Sequence, residues 1–211
     1  MYIGKKSLGI LCVVIVLLSG CSQKEAVSTN SHSKKQTESQ NKTNSKKIKE
    51  DKEKSKQLIL EFQNNIFNEL DTFTIKWHDF MEDKTTWAAM QGGYSDIAEP
   101  KLAEIKSEIE GLRSNIKSIK IPTEIPSEVM LKIDQSKAQL DESIGIQMSI
   151  ISSLYSYTAE KPDSVLKTTY LDMVKDYSEE VILLQNKFSR SLSEVNALYD
   201  IPSVEYFNKQ N

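Results

Sequence analysis

The chain has 211 residues, 27 basic and 30 acidic, with a formal net charge of −3, two cysteines and two histidines. That length suits one domain plus a tail, and an acidic balance argues against nucleic acid as a partner. Two histidines leave little material for a metal centre.

The charge is unevenly spread. Residues 22–57 carry ten lysines against five acids, a local charge of +5. Residues 58–211 carry 15 basic and 25 acidic residues, a local charge of −10. A basic stretch is attracted to an anionic membrane or wall polymer, and an acidic domain is pushed away from it. Only Arg113 and Arg190 are arginine. This Lys-, Asn- and Ile-rich usage points to an AT-rich genome.

In chain order, Lys5 and Lys6 form a short positive region, and Leu8 to Leu18 is an apolar run. The run is too short for a comfortable membrane span of ~20 residues and fits the apolar core of an export signal. Ser19 and Gly20 then precede Cys21. Leu18-Ser19-Gly20-Cys21 resembles the lipobox of bacterial lipoproteins, and with the base composition it points to a low-GC Gram-positive source. The resemblance implies that Cys21 takes a diacylglyceryl group through a thioether and that cleavage falls between Gly20 and Cys21. The mature chain would sit on the outer face of the cell membrane, held by lipid on Cys21. Two acyl chains give stable anchoring where one gives only marginal binding. Cys12 would leave with the leader, so no free thiol or disulfide would remain.

Residues 1–20 are therefore read as signal peptide and 21–49 as a lipidated, disordered tether rich in Lys, Ser and Asn. With Ala26 and Val27 almost its only apolar residues, the tether cannot bury enough surface to offset ordering entropy. His32 falls within it and has no companion ligands.

Residues 50–201 read as an all-α domain, with helices expected over about 50–83, 96–120, 127–158 and 163–199, and 202–211 as a tail. Each segment repeats apolar residues at steps of three and four, the mark of an amphipathic helix. The first stripe is Ile59, Phe62, Ile66, Leu70, Phe73, Trp77 and Phe80. The second is Leu102, Ile105, Ile109, Leu112, Ile116 and Ile119. The third holds Met130, Ile133, Leu140, Ile144, Ile151 and Leu154. The fourth runs through Tyr170, Met173, Tyr177, Val181, Leu184, Phe188, Leu192 and Val195. Breaks fall at Gly92-Gly93, at Pro122 and Pro126, at Pro162 and at Pro202. Pro100 suits a first helical turn, and Asp163 or Ser164 is a candidate N-cap. Gly111 and Gly145, inside helices, point to close helix approach or local bending. Short connections make neighbours antiparallel, so the expected architecture is an up-down-up-down four-helix bundle after a disordered tether.

That topology gathers aromatics at the end away from Cys21: Trp77, Phe80, Trp87, Tyr94, Tyr155, Tyr157 and Tyr170. His78, Asp79, Glu82, Asp83, Asp96 and Glu99 lie near the same end. No catalytic motif is present. A di-iron bundle needs paired Glu-x-x-His motifs, and only His78 lies in the folded part. Gly92-Gly93 lacks the spacing of a phosphate loop. The expectation is a chain with no catalysis, no cofactor and no metal site. Trp87, Gln91, Gly92, Gly93 and Tyr94 lie outside the stripes, in an expected loop. They serve either as a lid on the bundle or as a docking site for a protein or cell-wall partner, since loops on rigid scaffolds carry binding function. The alternative is a small-ligand or metal-binding lipoprotein with its pocket at that same distal end.

Overall fold

The computed structural model describes residues 38–202, with side chains from residue 47 onward. The described residues form an all-α, bundle-like fold without strands. Its helices are α1 (Glu38–Glu82), α2 (Lys84–Gly92), α3 (Ser95–Ser118), α4 (Ser127–Ala159) and α5 (Leu166–Leu198). The leader, Cys21 and residues 203–211 lie outside the described part.

The apolar stripes become the core. Ile59, Phe62, Ile66, Phe73, Trp77 and Phe80 of α1 are buried, as are Leu102, Ile105, Ile109, Leu112 and Ile116 of α3. In α5 the seam is displaced near its start. Val174 is buried, while Met173 is 37% exposed. From Lys167 through Val174, Val181, Phe188 and Val195 the buried positions recur every seven residues, the repeat of helices packed side by side. Met173 stands one position off that seam.

α4 buries more of its circumference than one stripe. Ser136, Ser143, Gln147, Ser153 and Thr158 are buried beside its apolar residues. α4 and α5 form the most extensive helix pair. Small buried side chains on both helices, with Ser178 on α5, let the two backbones approach closely. Ser178 and Thr158 donate to the carbonyls of Val174 and Leu154 in their own helices.

Cross-links fix the order of the helices. Arg113 of α3 grips Asp141 of α4 through two bonds of 2.8 and 3.1 Å. Asn115 reaches Glu69, and Lys76 pairs with Glu108, so α3 runs back along α1. Lys132 near the start of α4 pairs with Glu194 near the end of α5. Gln63 of α1 donates to Asn196 of α5 over 2.7 Å in the buried interior. Lys137 donates to the carbonyls of Lys117 and Ile119 and so closes the end of α3. Burial pushes its ammonium below the usual lysine range.

Three sequence expectations change. First, α1 begins at Glu38 rather than near residue 50, so part of the expected disordered tether is helical. Residues 38–49 contain no glycine or proline to stop a helix. Lys52 and Lys54 of α1 pair with Asp200 and Glu124, and Ser55 is its first buried residue among those with described side chains. The turns before them form a helical stalk of roughly 20 Å at 1.5 Å per residue. Second, the expected loop after α1 contains α2. Third, Pro100 sits inside α3, beyond its first turn. Its missing N–H leaves the carbonyl of Asp96 to solvent on an exposed face. Gly145 lies beside the Arg113 guanidinium, whereas nothing within 4 Å explains Gly111.

Candidate functional site

The residues singled out after α1 form a tied-down cap. Asp83 starts it. Its carboxylate accepts from the backbone N–H groups of Thr85 and Thr86 at 3.0 and 3.2 Å and from the Thr86 hydroxyl at 2.7 Å. These are orphan donors of a helix start, satisfied in the usual N-cap way. The Thr86 hydroxyl bond, then the Thr86 N–H, holds the Asp83 carboxyl below the usual carboxylate range.

α2 then lies across α3 and α4. Ala89 and Met90 are buried beneath it. Trp87 is partly buried, and its indole N–H donates to the carbonyl of Met81 at 2.8 Å. Trp87 thus belongs to a helix and anchors the cap to the end of α1. Gln91 is exposed. The helix stops at Gly92-Gly93. Tyr94 N–H bonds to Ala89 carbonyl at 2.9 Å and Gly93 N–H to Met90 carbonyl at 3.3 Å, a Schellman termination. Gly93 has φ +71°, which a side chain resists. Gly92 leaves room for the Tyr94 ring, whose Cε2 lies 2.4 Å from where a Cβ would stand.

The far end of α4 closes the same region. Gly93 packs against the carbonyl of Glu160 and against Pro162. Lys167, at the start of α5, is buried and donates to the Met90 carbonyl at 2.7 Å, with its ammonium 4.1 Å from the Tyr157 ring centre. Burial pushes the Lys167 ammonium below its usual range, partly opposed by Glu160, and burial raises the Tyr157 hydroxyl. Sequence periodicity treats Lys167 as a solvated residue. Its one legible signal is its place seven residues before Val174 on the core seam. The expected cap of α5 shifts slightly: Ser164 accepts from Leu166 N–H at 3.2 Å and donates to Glu160 at 2.8 Å.

The acidic cluster of the same end does not converge. His78, Asp79 and Glu82 are exposed on α1, while Asp83 is turned into the cap. Asp96 and Glu99 are exposed on α3. Among the described residues, no group of three or more His, Cys, Asp and Glu is placed to hold a metal ion. No described helix is long and apolar enough to cross a membrane. Trp77 and Phe80 are core residues, their rings tilted at 46° with centres 6.0 Å apart.

What the cap offers outward is apolar surface. Tyr94 is 60% exposed and Ile97 47% exposed, and both border an open hollow with Lys84, Thr85, Ala88 and Ala89. The adjoining α4–α5 turn and the start of α5 add Val165, 83% exposed, and Leu166, 46% exposed. The lid and the surface coexist: Trp87, Ala89 and Met90 hold the cap down, and Tyr94 faces solvent.

Compared with known proteins, the chain matches no family model, no curated protein and no solved structure.

Proposed function

We propose that this chain is a lipoprotein anchored through Cys21 to the outer face of the cell membrane, and that it binds a protein or cell-envelope partner without catalysis. The four long helices act as an up-down-up-down bundle, with the α1 stalk toward the membrane and the α2 cap away from it. The reading of the anchor rests on Leu18-Ser19-Gly20-Cys21 and the leader before it. The docking reading rests on one observation: Tyr94, Ile97, Val165 and Leu166 expose large apolar side chains on a cap that hydrogen bonds hold rigid. Of these, Tyr94 and Ile97 share one hollow, and apolar residues exposed together mark interaction surfaces more often than scattered ones do. A pre-ordered cap also lowers the ordering cost of binding.

Two variants test the two halves. Cys21→Ala is expected to move the chain out of the membrane fraction, and retention there with the leader cut at the same bond contradicts the anchor. Tyr94→Ser with Val165→Ser is expected to abolish capture of a partner crosslinked in the chain's own cells, with helicity unchanged. Undiminished capture contradicts the docking face. Trp87→Ala is the weaker test, because Trp87 holds the cap in place.

A further inference from the structure

α1 and α5 leave a groove between them. They are absent from the closely packed helix pairs, and long side chains bridge them: Gln63 to Asn196, and Phe67 to Phe188 with ring centres 6.4 Å apart. Leu60, Phe67 and Thr74 recur every seven residues on α1, as Ile182, Ser189 and Asn196 do on α5, so each row keeps to one side of its helix. Leu60, Leu70, Thr74 and Ser189 are partly exposed. A cavity of about 70 Å³ adjoins the groove, with Leu70 and Thr74 of α1 and Gln185 and Ser189 of α5 in its wall. The bundle is thus least closed on this side.

The chain leaves α5 at the foot of this groove and is turned toward α1. Asp200 takes the left-handed conformation, φ +52°, which aspartate tolerates better than most residues. Ile201 N–H bonds back to the Asn196 carbonyl at 3.0 Å, and the Ile201 side chain is buried, a Schellman termination with its apolar contact. α1 holds the turn from the other side. Lys52 Nζ lies 3.0 Å from the Asp200 carboxylate, and Lys56 donates to the Asp200 carbonyl at 3.2 Å. Pro202 follows, and after it Ser203 to Asn211, with Val204, Tyr206 and Phe207 as the apolar residues. An extended chain advances about 3.3–3.6 Å per residue, so Phe207 reaches about 17 Å from Pro202 and residue 211 about 30 Å. Along α1, at 1.5 Å per residue, Lys56 to Phe67 is about 16 Å, to Thr74 about 27 Å and to Glu82 about 39 Å. The segment is long enough to run from the foot of the groove past the cavity wall and too short to reach the cap.

We propose that residues 203–211 fold back along the α1–α5 groove as a strap, with Tyr206 and Phe207 seated against Leu60, Phe67 and Leu70. The turn at Asp200 delivers the chain to the groove, and the reach of the segment matches the groove's length. A seated strap gives α1 a second neighbour beside α3 and covers the side on which the bundle is least closed. The groove is then not open to an outside partner until the strap leaves. The strap is out of reach of the cap, so it stands or falls apart from the docking face.

The test compares methyl NMR signals of the full chain with those of the full-length variant Tyr206→Ala with Phe207→Ala. Aromatic rings displace the signals of methyl groups they touch, and the two substitutions leave every described core residue in place. Leu60→Met and Leu70→Met assign the signals. The Leu60 and Leu70 signals are expected to move between the two chains, equally at low and high protein concentration, while that of Ile97 at the cap stays and helicity is unchanged. Unmoved Leu60 and Leu70 signals overturn the proposal, the result if the groove is empty or filled by another molecule. So does a movement that fades on dilution, the result if the segment lies in the groove of a second copy.

Discussion

Asp83 shows how a single side chain decides what a segment is. Among His78, Asp79 and Glu82 it looks like one of several acids at a helix end, yet its carboxylate is consumed by the first turn of α2. Asp83→Ala is expected to cost about 1 kcal/mol, the usual value of an N-cap. Thermal unfolding reads this loss. Hydrogen exchange should show it concentrated in α2. Acid adds a second measure. Asp141 is also held below the usual carboxylate range, first by its Arg113 hydrogen bond. A carboxylate whose pKa is lower in the folded chain gives stability that is complete above the unfolded value of about 3.9 and lost as pH falls through the folded value. Acid titration should therefore steepen below about pH 4, and Asp83→Asn with Asp141→Asn should flatten that limb. Gly111 gives the opposite sign. It sits inside α3 with nothing within 4 Å of an added Cβ. Gly111→Ala is expected to stabilise by about 0.5–1 kcal/mol through helix propensity alone, seen as a raised Tm.

At the scale of elements, the long helices were legible because each repeats its apolar residues over many turns. Ile59 to Phe80 and Leu102 to Ile116 mark one face without ambiguity, and those faces are the core. α2 was not legible. Lys84–Gly92 is too short to show a period, and its helical start depends on a side-chain cap rather than on hydrophobicity. The start of α1 was misplaced for a related reason, since residues 38–49 are helical without an apolar stripe. The polar interior was invisible for the opposite reason: Ser143, Gln147, Lys167 and Asn196 read as surface and lie inside. Met173 and Val174 differ by one position, and only the α4 packing partner decides which is buried. The Gln63–Asn196 bond registers α1 against α5 where their backbones stand apart. Gln63→Leu leaves Asn196 buried and unpaired, so it should cost about 1–3 kcal/mol. Replacing both by leucine should recover most of that loss. Denaturant unfolding of the two single variants and the double one closes the cycle. Additive losses would mean that the bond does not couple the helices.

The described residues join the helical stalk of α1 to a bundle-like body, with α2 across one end and a wide seam between α1 and α5. They divide into regions that fit separate tasks. The α4–α5 pair is the most extensive helix contact, and the cap presents surface. Of the residues first singled out at the cap, Trp87 and Gly93 build it, Gly92 makes room for Tyr94, and Gln91 is exposed. Tyr94 alone among them presents a large exposed apolar ring; Ile97 borders the same hollow, and Val165 and Leu166 are exposed at the nearby start of α5. The central claim is that this face meets a partner. A photo-crosslinking residue placed at Tyr94 in living cells tests it directly, with the same residue at exposed Ser107 on α3 as the control. The account predicts a discrete adduct from position 94 and none from position 107. No adduct from position 94, or the same adduct from both, would contradict it.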